Sequence, residues 1–233
     1  MHDDIAMDVF RKLSKKVSTG QCVGRVTVSC GDIDNHVLTC KDTMGIIIQE
    51  LVECFLRQEK ISYLVNPNTQ MPPDFFLHPD DMTHGLFEIK AFDLDRKPAF
   101  DIAPYATYME EIVKKPYVLD TDYCIFGYRV HEDGHFSLDQ VWLKNVWEIT
   151  SPTPSKPLPL QIKRGIVHKI RPANWTKHPA RCFKDKESFI AACVKALDID
   201  KSDTLTYDGE VWLREFAKAY ETYYGKQIVI PAC

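Results

Sequence analysis

The segments that decide the fold are Pro73-Asp74-Phe75-Phe76-Leu77 and Leu86-Phe87-Glu88-Ile89-Lys90-Ala91. Both contain short apolar runs, and the polar residues and Gly85 between them are typical of turns, so the pattern predicts two adjacent strands. Side chains at positions i and i+2 of a strand point to the same side. Glu88 and Lys90 therefore share one face of the second strand.

Asp74 is the third residue of interest in this pattern. If it lies at the end of the neighbouring strand, it can meet Glu88 across the sheet. Two converging carboxylates repel each other unless a divalent cation lies between them, and hard oxygen ligands favour Mg²⁺. Lys90 would then orient or deprotonate a water molecule and stabilise charge on a phosphate. The alternative for Glu88 and Lys90 alone is an ion pair on an exposed strand face.

Two similar patterns in the chain lack this context. Asp80 of Pro79-Asp80 lies in the connecting loop, and Asp95-Arg96-Lys97 lies in a polar run beside Pro98. Neither has an apolar strand around it, so Asp74, Glu88 and Lys90 are the candidate site.

Periodicity and turn signals predict the remaining elements. The predicted fold class is α/β (α+β), with a central mixed β-sheet flanked by helices. We expect a single domain over 1–233, made of an N-terminal arm (1–43), a catalytic core (44–150), a basic segment (151–185) and C-terminal helices (186–233). Helices are predicted at 1–18, 43–58, 102–113, 186–197 and 210–224, and strands at 22–30, 37–40, 61–65, 75–77, 86–91, 123–130, 141–149, 160–163 and 166–170.

Composition excludes several classes of protein. The chain has 233 residues, 45% of them hydrophobic and 27% charged, which is typical of a globular protein. No apolar run is long enough to span a membrane, and the acidic start Met1-His2-Asp3-Asp4 does not resemble a signal peptide. The eight cysteines form no Cys-x-x-Cys pair, so we expect reduced thiols without a zinc site. A cytoplasmic location is expected.

Charge is distributed unevenly along the chain. The formal net charge is −4, yet no acidic residue lies between Glu148 and Asp185. Such a window indicates a surface for a polyanion, and a solvated basic face without a partner is the alternative. Its basic residues are Lys156, Lys163, Arg164, Lys169, Arg171, Lys177, Arg181 and Lys184.

The pattern Pro73-Asp74 and Glu88-Ile89-Lys90 resembles that of the PD-(D/E)xK phosphodiesterases, in particular bacterial type II restriction endonucleases. Four longer stretches are similar to the NgoBV-type enzymes, and the resemblance covers much of residues 44–190. These stretches are Glu88-Ile89-Lys90-Ala91-Phe92, Pro98-Ala99-Phe100-Asp101-Ile102, Trp142-Leu143-Lys144-Asn145-Val146-Trp147-Glu148-Ile149 and Gln161-Ile162-Lys163-Arg164-Gly165.

The resemblance implies a restriction-endonuclease-like core and Mg²⁺-dependent hydrolysis of DNA phosphodiester bonds. Asp74 and Glu88 match the metal-binding acids and Lys90 matches the catalytic lysine. The family often has a further acid on the helix before the first core strand. Glu50 is our candidate for it and Glu53 the second choice, although either could be a solvated helix residue.

The resemblance also implies double-stranded DNA as substrate. For DNA contacts we select residues of the basic window and of the loop after the catalytic strand, namely Lys97, Lys163, Arg164, Lys169 and Arg171. A palindromic, GC-rich site of the type GGNNCC, a homodimer and a companion DNA methyltransferase as genetic partner are further expectations. Candidates for the dimer interface are the N-terminal β segments and the aromatic residues Trp212, Phe216, Tyr220 and Tyr223, which could equally pack in the core.

Two other functions compete with this interpretation. A structure-selective repair or junction-resolving nuclease could use the same core, and it would cleave by DNA structure instead of sequence. A non-catalytic DNA-binding protein would bind DNA with steep salt dependence and be indifferent to Mg²⁺.

Overall fold

The computed structural model describes residues 2–30, 33–37, 43–68, 71–201 and 208–231. Five α-helices lie within these ranges: α1 (Asp4–Ser18), α2 (Met44–Gln58), α3 (Tyr105–Lys114), α4 (Lys186–Leu197) and α5 (Gly209–Tyr224). The strands are β1 (Val23–Arg25), β2 (Thr27–Cys30), β3 (Ile33–Val37), β4 (Leu64–Val65), β5 (Phe75–Phe76), β6 (Leu86–Asp93), β7 (Ala103–Pro104), β8 (Asp122–Val130), β9 (His135–Lys144), β10 (Leu160–Lys163) and β11 (Ile166–Ile170).

The largest sheet has six strands in the order β1-β9-β8-β6-β5-β4. Strands β6 and β8 are parallel, and their other neighbours are antiparallel, so the sheet is mixed. A second sheet has the order β10-β11-β7, and β2 pairs with β3. The prediction of a mixed sheet flanked by helices is confirmed. Both edges of the large sheet are short, because β4 has two residues and β1 has three.

Each face of the large sheet supports its own hydrophobic core. On one face, Phe87 and Ile89 pack with α1 and α2. On the other face, Tyr123 and Ile125 pack with α3, α4 and α5. This division follows from the alternation of side chains along β6 and β8. Glu88 and Lys90 point toward the second core, so a charged pair extends from a strand that is otherwise apolar.

The predicted strand at 141–149 is wrong in its bounds. Strand β9 begins earlier, at His135, because it forms a hairpin with β8, and it ends at Lys144. Residues 146–149 then form a short 3-10 helix. Asn145 and Glu148 begin this helix by a reciprocal pair of side-chain to backbone hydrogen bonds, a local signal that stops a strand.

Two other predicted elements are shorter than expected. The helix predicted from residue 102 begins at Tyr105, because Ala103 and Pro104 pair with β11 as strand β7. The strand predicted at 61–65 is confined to Leu64 and Val65. Of the β segment predicted at 37–40, residues 38–40 lie outside the described residues.

The basic segment packs on the same core as α3. Leu158, Leu160 and Val167 are buried together with Tyr105 and Ile112. Trp212, Phe216 and Tyr220 are also buried in this core. Their suggested role in a dimer interface is therefore wrong, because their faces are already occupied within the chain. Among the described residues, no helix combines the length and the apolar character needed to cross a membrane.

Candidate active site

The pairing of β5 with β6 determines the position of Asp74. Phe75 lies opposite Phe87 in this antiparallel pair, so the residue before Phe75 lies opposite the residue after Phe87. Asp74 therefore lies across from Glu88. Its Oδ2 accepts a hydrogen bond of 2.7 Å from the backbone nitrogen of Ile89. This contact fixes the carboxylate at the strand end.

Glu88 and Lys90 form a close ion pair within β6. The Lys90 Nζ lies 2.6 Å from Oε1 of Glu88, and their side chains are only 20% and 6% exposed. Burial raises the pKa of Glu88 to about 7, and the Lys90 ammonium opposes this rise. Burial also raises the pKa of Asp74. For Lys90, burial lowers the pKa, but the contact with Glu88 outweighs it and the net pKa is raised.

One oxygen of this pair has no partner. Glu88 Oε2 is buried and accepts no hydrogen bond from the described residues. A buried carboxylate oxygen without a partner is costly, since it has lost its hydration. A hard divalent cation bound by Glu88 Oε2 and Asp74 would satisfy it, and oxygen ligands of this kind fit Mg²⁺.

The protein supplies few ligands for such an ion. Within the described ranges, no group of three or more His, Cys, Asp or Glu side chains could hold a metal. Two carboxylates are sufficient for Mg²⁺, which usually retains several waters and binds through one or two carboxylates together with substrate phosphates.

The three residues open into a cleft of about 560 Å³, which we call the catalytic cleft. Its walls come from the start of α2, from the segment before α3 and from β11. Three polar side chains besides the candidate site residues line it, namely Gln49, Asp101 and Lys169. Lys169 was predicted from the basic window. Gln49 and Asp101 were missed, because neither belongs to an acid-x-Lys pattern or to a basic run.

The structure does not bring Glu50 to the catalytic cleft. Glu50 is exposed on α2, while the preceding residue Gln49 lines the cleft. Glu53 is engaged elsewhere, because its Oε1 accepts a hydrogen bond of 2.9 Å from the Tyr63 hydroxyl. Successive residues of a helix differ by about 100° in direction, so an acid one position away faces another way.

The residues predicted to contact DNA fall into three places. Lys169 lines the catalytic cleft. Lys97 and Arg171 line a second depression of about 470 Å³, which is described below. Lys163 and Arg164 lie exposed at the tip of the β10–β11 hairpin. Arg164 and the following glycine both have positive φ angles, as a tight two-residue hairpin turn requires.

Asp95 of the polar run and two histidines beside the β5–β6 pair have partners within the chain. Asp95 pairs with Arg129 at 3.2 Å. His78 pairs with Asp3 at 3.0 Å, and His84 pairs with Asp81 at 2.8 Å.

Comparisons with known proteins identify the family to which this chain belongs. The family model of the NgoBV restriction endonuclease matches residues 3–233. The chain is 38% identical to the type II restriction enzyme NlaIV of Neisseria lactamica over 97% of this chain and 93% of the relative. It is 37% identical to the type II restriction enzyme NgoBV of Neisseria gonorrhoeae over 62% of this chain and 82% of the relative.

A solved structure supports the same assignment. The NlaIV restriction endonuclease superposes with a TM-score of 0.88 at 37% identity, covering 97% of this chain and 92% of the other. The sequence similarity and the structural similarity therefore extend over nearly the whole chain. The chain belongs to the NgoBV restriction endonuclease family of type II restriction enzymes.

Proposed function

We propose that this restriction enzyme hydrolyses phosphodiester bonds of double-stranded DNA with Mg²⁺ as cofactor, and that Asp74, Glu88 and Lys90 form its active site. The observation that carries the proposal is the meeting of the buried Glu88 with the half-buried Asp74 and Lys90 in the catalytic cleft. The unpartnered oxygen of Glu88 supports a cation at this place.

The side chains of the catalytic cleft have different roles in this proposal. Asp74 and Glu88 would hold Mg²⁺, which lowers the pKa of water and neutralises charge on the phosphate. Lys90 donates hydrogen bonds and places its positive charge beside the attacked phosphate. Lys169, in the same cleft, attracts the phosphate backbone. The low exposure of Lys90 and Glu88 strengthens these charge interactions, because little water screens them.

The recognition site and the assembly belong to the same proposal. We infer a palindromic, GC-rich recognition sequence of the type GGNNCC, cleaved by a homodimer whose two-fold symmetry matches the DNA. The enzyme would act in the bacterial cytoplasm. A companion DNA methyltransferase would protect the host's own sites without any need to bind this chain.

Cleavage of unmethylated phage DNA tests the proposal. The purified protein is incubated with Mg²⁺ or with EDTA, and the DNA is separated on an agarose gel. Discrete bands that require Mg²⁺ support it, and sequencing of their ends gives the recognition site. A smear would favour a structure-selective or nonspecific nuclease. Intact DNA in both lanes, with binding retained in a shift assay, would favour a non-catalytic DNA-binding protein.

Variants test the assignment of the site. We expect Asp74→Ala and Lys90→Ala to lower the cleavage rate by at least about a hundredfold, because each removes a charge at the reacting phosphate. Both variants should still bind DNA. Asp80→Ala is a matched control, since Asp80 also follows a proline but is exposed in the loop. Normal cleavage by either site variant would contradict the assignment.

A further inference from the structure

A second depression lies beside the catalytic cleft, with a volume of about 470 Å³. We call it the basic groove. None of its lining residues, all within the described ranges, is acidic, although the chain as a whole has a formal charge of −4. Its basic lining residues are Lys97, Lys156, Arg171, His178 and Arg181. A concave surface with a single sign of charge concentrates counter-ions of the opposite sign.

The groove and the cleft share a wall. Residues 97–99 line the groove and residues 100–104 line the cleft, while on the facing segment Lys169 lines the cleft and Arg171 lines the groove. The two segments are joined by a hydrogen bond of 3.0 Å from the Ile102 nitrogen to the Ile170 oxygen. The Arg171 guanidinium also contacts Asp101 and the backbone oxygen of Ala99.

These contacts change the role expected for Arg171. Its guanidinium is occupied within the chain, so it stabilises the wall instead of standing free for a base edge. Lys97 and Arg181 differ from it. Both are exposed, and neither forms an ion pair with a carboxylate in the described part of the chain. Their charges are therefore available to an external anion.

Contacts within the chain hold the wall of the groove in place. Thr153 and Lys156 close its proline-rich loop by a backbone hydrogen bond of 3.0 Å, and the Thr153 hydroxyl accepts a second one from the Lys156 nitrogen. The loop is tied at its end by a hydrogen bond of 2.9 Å from the Arg171 nitrogen to the Pro159 oxygen. Leu158 anchors it in the core. A surface restrained by such contacts loses little conformational entropy on binding.

The strongest donors that the groove offers to an anion are its charged side chains. Five of its lining residues are prolines, which have no backbone N–H to donate. Lys169 in the cleft and Arg171 in the groove are two residues apart, and two residues of extended chain span about 7 Å. This length is comparable with the spacing of phosphates along a DNA strand, which has one phosphate for about every 3.4 Å of helix axis. A phosphate bound in the catalytic cleft would therefore have its neighbours on the same strand close to the groove.

We propose that the basic groove binds backbone phosphates next to the one that is cleaved, with Lys97 and Arg181 as its principal contacts. The inference rests on the proposed function, since it takes the substrate to be duplex DNA lying in the catalytic cleft. Arg181 was not among the residues selected for DNA contact from the sequence. Contacts of this kind position the duplex and are independent of its sequence.

The test measures DNA affinity as a function of salt concentration. The Lys97→Ala/Arg181→Ala variant is compared with wild type by fluorescence anisotropy in EDTA, using one duplex that contains the cleavage site and one that lacks it. Arg11→Ala/Lys15→Ala is the matched control, because it removes the same charges from the exposed face of α1. Arg181→Lys retains the charge and should behave like wild type.

We expect the slope of log affinity against log salt to become less steep by about 1.8, since each lost phosphate contact contributes about 0.9. The affinity for both duplexes should fall in parallel, and the control should keep the wild-type slope. An unchanged slope would overturn the proposal, and so would a loss confined to the duplex with the site, which would indicate base reading. If the proposed function itself is wrong, the wild-type protein leaves phage DNA uncut. That outcome is measured in a different experiment and is distinct from an unchanged salt dependence.

Discussion

At the scale of single residues, Glu88 lies in an unusual environment for a carboxylate. It is a carboxylate on the core side of a central strand, with Lys90 Nζ at 2.6 Å and with one oxygen that accepts no hydrogen bond from the part of the chain that the structure describes. Alternation along the strand predicted that Glu88 and Lys90 share a face. Their burial could not be predicted in the same way, because it depends on helix α3 and on strand β11, which are distant in sequence.

The raised pKa of Glu88 makes a prediction about pH. Its pKa rises from 4.5 to about 7 on folding, so the metal-free folded chain binds a proton there that the unfolded chain releases. The stabilisation from this group is complete below about 4.5 and is lost as the pH rises through about 7. Because Mg²⁺ competes with that proton, Mg²⁺ should stabilise the protein more at pH 8 than at pH 6.

Thermal denaturation with EDTA or Mg²⁺ at the two pH values checks this prediction. At a Mg²⁺ concentration of about 100 Kd, the stabilisation should approach about 2.7 kcal/mol, which raises the Tm of a chain of this size by roughly 5–10 °C. In Glu88→Gln the Mg²⁺ effect should disappear at both pH values. Equal Mg²⁺ effects at pH 6 and pH 8 in wild type would contradict the assignment of Glu88 as a ligand.

At the scale of secondary-structure elements, helix α2 shows how far the sequence could predict the site. Apolar spacing predicted its bounds to within one residue. The selection of Glu50 depended on the residue type expected from the resemblance, whereas the catalytic cleft is lined by Gln49. The direction of a single helical position depends on how the helix packs against β6. That packing follows from the tertiary fold and has no local signal.

The two neighbouring residues of α2 provide a matched pair of variants. Gln49→Ala should lower the cleavage rate by about ten- to a hundredfold. The variant would lose the hydrogen bond that we expect from the Gln49 amide to the phosphate in the cleft, and a hydrogen bond to a charged group contributes about 1.5–3 kcal/mol. Glu50→Ala should cleave like wild type, because Glu50 is exposed and outside the cleft. Initial cleavage rates on a short duplex measure both. Slow cleavage by Glu50→Ala together with normal cleavage by Gln49→Ala would indicate instead that Glu50 is the helical acid of the site.

At the scale of the whole molecule, the two cores explain which predictions failed. The aromatic residues of α5 repeat at helical spacing, and that pattern alone does not distinguish a dimer interface from a core. Trp212 is fully buried, and its indole nitrogen donates a hydrogen bond of 3.1 Å to the Met109 oxygen. The mixed sheet itself could be predicted, since strand and helix patterns alternate clearly along 43–130.

Substitution of Trp212 tests the stability of the second core. Trp212→Ala should lower the free energy of unfolding by about 3–5 kcal/mol, because it leaves a large cavity between α3 and α5. The corresponding fall in Tm is roughly 10 °C. Tyr223→Ala, on the partly buried side of the same helix, should change the Tm much less. Similar Tm changes in both variants would argue against this core arrangement.

The oligomeric state is a prediction for the whole molecule. Since a two-fold site requires two active sites, we expect a particle of twice 26.9 kDa in light scattering coupled to size exclusion. The Trp212, Phe216 and Tyr220 side chains would not contribute to its interface, because they are buried in the core. A monomer at every concentration, both free and on DNA, would contradict this prediction.

The short edges of the large sheet also affect how the protein behaves during handling. An exposed strand edge is a template on which another chain can extend a sheet, and this is a common route to amyloid-like aggregation. Here the two outer strands have only two and three residues, so neither of them offers a long row of free backbone donors and acceptors to a neighbouring molecule. Preparations concentrated for crystallisation with DNA should therefore resist the formation of fibrils.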